Sequence, residues 1–249
     1  MSGHSKWATI KHKKGALDAK RGALFTKVIK EITAAARNGG GNPEANPRLR
    51  TALVKAKEAN MPADNIDRAI KKGTGELPGV SYEESTYEGY GPGGVAILIE
   101  VLTDNKNRTT SEIRTVLDKR GGNMSGAGSV AWQFHKKGFI IVRRDAVDEE
   151  KLMTIALDAG ASDFNTEKDH YEITTEPHDF EKVKSAVAAA GVPTESAEVT
   201  MLPSATVKLN ASDAKNVLAL VEALEEHEDV QNVYTNSDIS DEVLQQLAG

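Results

Sequence analysis

KKGFIIV at residues 136–142 begins a run that closes with AEVTML at residues 197–202, and the order of patterns between them decides the fold. Gly138–Val142 is a continuous apolar stretch of strand length. Asp148–Ala159 repeats apolar residues at helical spacing, and Asp163–Glu167 and His170–Thr175 are two short strand-like runs. Asp179–Ala190 is a second helical stretch and Glu195–Met201 a last strand. Strand, helix, strand, strand, helix, strand is the ferredoxin-like plan. Residues 136–202 are therefore expected to form one α+β domain.

The sequence on either side reads as two halves of another domain. Tyr82–Tyr90 and Val95–Leu102 have strand character, separated by the glycine-rich turn Gly89–Gly94. A helix follows with Thr109 and Glu112 at capping-box spacing, then a strand over Ser129–Phe134. After Pro203 come a strand (Thr206–Leu209), a helix (Ala211–Glu226), a strand (Val230–Thr235) and a short helix (Ser240–Leu247). The reading is a middle α+β domain built from residues 80–135 and 203–249, into which 136–202 is inserted.

Ahead of the linker Leu77-Pro78-Gly79 the pattern is helical. Leu17–Arg37 places Leu24, Phe25, Val28, Ile29 and Ile32 on one stripe, and Lys20, Lys27 and Lys30 fall within an arc of about 80° beside it, where they are expected to stay free. Asn46 and Pro47 have the character of an N-cap and first residue of a second helix. A third helix carries Ile66, Ala69 and Ile70 and is expected to stop at Gly73. The fold class is multi-domain α+β, with a basic three-helix domain over residues 1–79 in front of the two α+β domains.

Charge divides at the same linker. Residues 1–79 hold 16 Lys and Arg against 7 Asp and Glu, and residues 80–249 hold 15 against 30, so net charges of +9 and −15 make up the chain's −6. Lys6, Lys11, Lys13, Lys14, Lys20, Arg21, Lys27 and Lys30 are opposed in their stretch only by Asp18, and His12 adds a further hydrogen-bonding group. Such a row gains free energy at a nucleic-acid backbone by releasing condensed counterions. The acidic body repels phosphate, so the encounter is oriented. Trp7, the one aromatic in this arm, suits either base stacking or anchoring to the helices.

Other chemistry is not spelled. The chain has no Cys and hence no disulfide or thiolate site. No apolar run reaches the length of a membrane span, and a cytoplasmic protein is expected. The six histidines show no zinc spacing, the acidic pairs sit at element edges, and no cofactor, metal, catalytic residue or small-molecule ligand is expected. Gly126-Ala127-Gly128-Ser129-Val130-Ala131 spells a dinucleotide fingerprint but leads into a strand reading rather than a helix.

Several long blocks carry a family resemblance: Gly3-His4-Ser5-Lys6-Trp7, Ile10-Lys11-His12-Lys13-Lys14, Asp18-Ala19-Lys20-Arg21-Gly22, the block from Asn42 to Arg50, and Tyr87-Glu88-Gly89-Tyr90-Gly91-Pro92-Gly93-Gly94. They resemble the YebC/PmpR family over essentially the whole chain. The resemblance implies three domains, no enzymatic activity, and nucleic acid as partner. Its members are described as DNA-binding transcriptional regulators, while mitochondrial relatives activate translation and others act on the ribosome.

Overall fold

The computed structural model describes residues 18–248, with side chains from 22 to 247, and gathers them into two compact units, 18–129 with 215–233 and 130–214 with 234–248. In the first, α1 (Asp18–Gly39), α2 (Pro47–Glu58) and α3 (Ala63–Thr74) pack through Val28, Ile32, Ala35, Leu49, Ala52, Ala56 and Ala69. One buried side chain closes two helix ends. Asn46 Oδ1 accepts from the Leu49 amide at 3.0 Å as the α2 cap, while its Nδ2 donates to the carbonyls of Ala35 and Gly40, both at 2.8 Å.

The expected stop at Gly73 differs from the structure. α3 continues to Thr74, and Gly75, with φ +85°, takes the left-handed position that ends it. Gly73 lies inside the helix for a different reason: a Cβ there would sit 2.5 Å from the Thr33 carbonyl oxygen and 2.7 Å from the Ala36 Cβ, so α3 and α1 touch through its missing side chain.

The same unit carries a sheet of order β3-β1-β2-β9, from β1 (Glu83–Tyr90), β2 (Ala96–Thr103), β3 (Asn123–Ser125) and β9 (Val230–Thr235). β1 and β2 are antiparallel from Glu83↔Thr103 to Tyr90↔Ala96. Helix α4 (Lys106–Lys119) buries Ile113 and Leu117, and α7 (Ala211–Glu225) buries Val217, Leu220, Val221 and Leu224. The cap of α4 is Asn105, whose Oδ1 accepts from the Arg108 amide at 3.1 Å, and not the capping box at Thr109; that threonine is buried in the helix's first turns.

In the second unit β4 (Phe134–Arg143), α5 (Glu149–Asp158), β5 (Ala161–Thr166), β6 (His170–Thr175), α6 (Phe180–Ala189) and β7 (Ser196–Pro203) form an antiparallel sheet of order β5-β6-β4-β7, the ferredoxin-like arrangement. Ile140, Val142, Tyr171 and Ile173 pack with Leu152, Ala156, Phe180, Val183 and Val187 of the two helices. Strand alternation turns Phe139, Ile141 and Leu202, also buried, to the other face. β8 (Val207–Lys208) pairs in parallel with β10 (Ser237–Asp238), and α8 (Asp241–Ala248) follows.

The strand expected over Ser129–Phe134 is absent. Ala131–Gln133 is a single 3₁₀ turn, and the strand starts only at Phe134, where pairing with Pro203 begins. No helix among the described residues is long and apolar enough to cross a membrane.

Candidate nucleic-acid interface

Of the residues read as phosphate contacts, Lys6, Lys11, His12, Lys13 and Lys14 lie outside the described residues, as does Trp7. Lys20 and Arg21 fall in the first turn of α1, so the basic row continues into a helix.

Lys27 and Lys30 depart from the expectation that the lysines beside the stripe stay free. Lys27 Nζ donates to the carbonyl of Glu225 at the end of α7. Lys30 is buried, its ammonium 2.5 Å from Asp229 Oδ1 and 3.2 Å from the Glu228 carbonyl. The physical reason is a fully buried carboxylate. The other oxygen of Asp229 accepts from Thr109 Oγ1 at 2.6 Å, Arg108 at 2.8 Å and Thr103 Oγ1 at 3.2 Å. Burial by itself would push this carboxyl up, but Lys30, Thr109 and Arg108 hold it far below the usual carboxylate range.

Next to it, Glu112, His227 and Asp229 each offer one ligand atom within 4.8 Å of the others. Their hydrogen bonds oppose a metal. The Asp229 amide donates to His227 Nδ1 at 3.1 Å, which leaves Nε2–H to donate to Glu112 Oε2 at 2.9 Å, and both Asp229 oxygens already have donors. A cation would have to displace an ammonium and a guanidinium.

The other cations of the three helices separate into two sets. Arg48 grips both oxygens of Glu31, at 2.8 and 3.1 Å, and also reaches Glu84, contacts that raise its already high pKa further. Arg50 donates to the Pro43 carbonyl at 3.2 Å, and Lys71 pairs with Asp67 at 2.8 Å. Arg37, Lys55, Lys57, Arg68 and Lys72 are exposed and make no ion pair among the described residues. These five join Lys20 and Arg21 as phosphate-contact candidates. The sequence signal for Lys55 and Lys57 was their place on α2 away from the core residues Leu49, Ala52 and Ala56.

One buried ionisable pair lies in the ferredoxin-like sheet. His170 Nδ1 is 2.6 Å from Asp169 and Nε2 is 3.4 Å from Glu172, which is wholly buried and has one oxygen, Oε2, without a hydrogen bond. The contact with Glu172, then that with Asp169, raises the imidazole's pKa above its ordinary value despite burial.

Comparison with known proteins covers nearly the whole chain. Residues 5–76 match the TACO1/YebC protein N-terminal domain, and residues 82–237 match the TACO1/YebC second and third domain. A probable transcriptional regulatory protein of Geobacter sulfurreducens is 60% identical over 99% of this chain and all of its own length. One of the same description from Desulfatibacillum aliphaticivorans is 58% identical over 98% of this chain and 99% of its own. The crystal structure of a conserved hypothetical protein from Aquifex aeolicus superposes with a TM-score of 0.81 at 50% identity, covering 96% of this chain and 99% of that one.

Proposed function

We propose that this chain, which belongs to the TACO1/YebC family, is a nucleic-acid-binding regulator of transcription without catalytic activity. The observation that carries the reading is the charge division, +9 over residues 1–79 against −15 over the remainder. Relatives described over their full length as probable transcriptional regulatory proteins support it. Lys6, Lys11, His12, Lys13, Lys14, Lys20 and Arg21 act as phosphate contacts, continued by Arg37, Lys55, Lys57, Arg68 and Lys72. Lys27 and Lys30 hold the helical region in place instead. A cytoplasmic location goes with this reading, as does the division into a helical domain over 1–79, a middle domain and an inserted one.

The fate of the two α2 arginines favours a second reading. Direct readout of base edges uses Arg, Asn or Gln forks on one helix face. Arg48 is spent on Glu31 and Glu84, and Arg50 donates to a backbone carbonyl. The cations left on α2 are lysines, which act as point charges. A reader of backbone and shape, including RNA in a ribosomal setting, fits that set.

Competition binding at physiological salt separates the two. A candidate promoter duplex, a scrambled duplex and ribosomal particles are offered to the full chain. Promoter retention against excess scrambled duplex supports transcriptional regulation, and preferential retention on ribosomes supports the second reading. Binding to none of the three defeats both.

A further inference from the structure

Trp132 is the most exposed large apolar side chain of the described residues, at 68%. Residues on either side of it are deeply buried, Val130 at 0% and Phe134 at 4%. Those two pin the 3₁₀ turn Ala131–Gln133 from both sides. Gln133 fixes it further, since its amide donates to the Val130 carbonyl at 3.0 Å and its carbonyl accepts from the Ser204 amide at 2.7 Å. Its side-chain oxygen accepts from Asn236 Nδ2 at 3.3 Å. These bonds hold the backbone of the turn in place, and the Trp132 ring projects from it largely exposed.

The surroundings have the charge to match. Although residues 80–249 carry −15, no acid occurs from Lys119 to Arg144, a run that holds six Lys and Arg. Directly after the turn, Phe134–Lys137 pairs with β7 alone, opposite Pro203, Leu202, Met201 and Thr200, so the ribbon contains no carboxylate. Lys137 pairs with Glu176, whereas His135 and Lys136 are exposed and make no ion pair among the described residues.

We propose that Trp132 is a stacking platform for an unpaired base of single-stranded nucleic acid, with His135 and Lys136 contacting the adjacent phosphates. Every base has a π-face, so the contact is tolerant of sequence and of sugar, and closed to a base that stays in a duplex. The inference rests on the nucleic-acid reading above and sharpens it: the acidic body contributes one contact, and that contact selects single strands.

The chain has two tryptophans, Trp7 and Trp132, which makes the test direct. In a Trp7→Phe full-length chain Trp132 is the sole indole. Oligo(U) and oligo(dT) of 12 nucleotides and a 12-base-pair duplex are titrated, with end-label anisotropy reporting binding and indole emission reporting Trp132. Both single strands are expected to quench Trp132 and protect it from iodide, and the duplex to leave it unchanged. Trp132→Ala should weaken single-strand binding about tenfold, Trp132→Phe should restore most of it, and duplex affinity should stay within about twofold. Unchanged melting temperature of the Trp132→Ala chain checks that the fold is intact. Single-strand binding that leaves Trp132 emission unaltered, or that Trp132→Ala leaves at full strength, overturns the platform while the nucleic-acid reading stands. Absence of binding by any strand in the anisotropy arm overturns the nucleic-acid reading, and the platform with it.

Discussion

Asp229 ties Lys30, Thr103, Arg108 and Thr109 into one structural unit, and the sign of its titration follows. Its folded pKa is depressed, so the stability it gives is fully present above the ordinary carboxylate range and is lost as pH falls through the folded value. Asp229→Ala leaves the Lys30 ammonium buried without a counter-charge and should cost about 3–5 kcal/mol in denaturant unfolding. Lys30→Met is the sharper variant. It should lower stability yet leave nucleic-acid affinity within about twofold, whereas a Lys30 that met phosphate would lose affinity and reduce the salt slope by about one. His170 has the opposite sign. Its raised pKa means that its contribution is complete below the ordinary value of 6.5 and disappears as pH rises through the folded value. His170→Asn should therefore flatten the dependence of melting temperature on pH above about 6.5; an unaltered profile would remove His170 as the source. The Lys30–Asp229 partnership could not be read from spacing, because the two residues are 199 apart in sequence.

At the scale of elements the sequence was informative wherever a pattern was local and periodic. Asn46 and Pro47 announced the start of α2, and the alternation between residues 136 and 202 gave the ferredoxin-like order in full. Ser129–Phe134 misled because valine and aromatic residues have strand preference, while the actual boundary was set by where β7 begins to pair. β3 was invisible for the converse reason: Asn123–Ser125 has little strand character and becomes one only by pairing with Glu88–Tyr90 of β1. Gly73 looked like a terminator and is instead a contact surface. Gly73→Ala must push its methyl into the Thr33 carbonyl, so α1 and α3 have to separate, and a loss of about 1–3 kcal/mol is expected. Gly75→Ala, which has open space around it but φ +85°, should cost less, about 1 kcal/mol, through strain alone. Equal melting temperatures for the two variants would contradict the packing argument.

For the whole molecule the charge division makes affinity a matter of salt. If the arm and the exposed cations of α2 and α3 carry binding, log K against log salt should be steep and should lose about one unit for each of Lys55, Lys57 and Lys72 replaced by Ala. A flat salt profile would point to contacts of another kind. The division also bears on fragments. A piece ending at residue 79 retains Lys30 but not Asp229, so it should be less stable than the same helices in the full chain, and Lys30→Met should rescue it in part. No rescue would mean that the loss lies elsewhere in the severed contacts.

The bonds from Lys27 and Lys30 to Glu225 and Asp229 also fix a sequence of events in time. A chain elongating at about 5–20 residues per second exposes α1 roughly 10–40 s before its carboxylate partner exists. Over that interval the first helices emerge without the Glu225 carbonyl and the Asp229 carboxylate that Lys27 and Lys30 will meet, and the last strand of the first sheet, β9, is still missing. The final docking of α1 is thus a closing step, made only when residues 225–230 arrive, and the nascent protein is more basic on its accessible surface than the finished one.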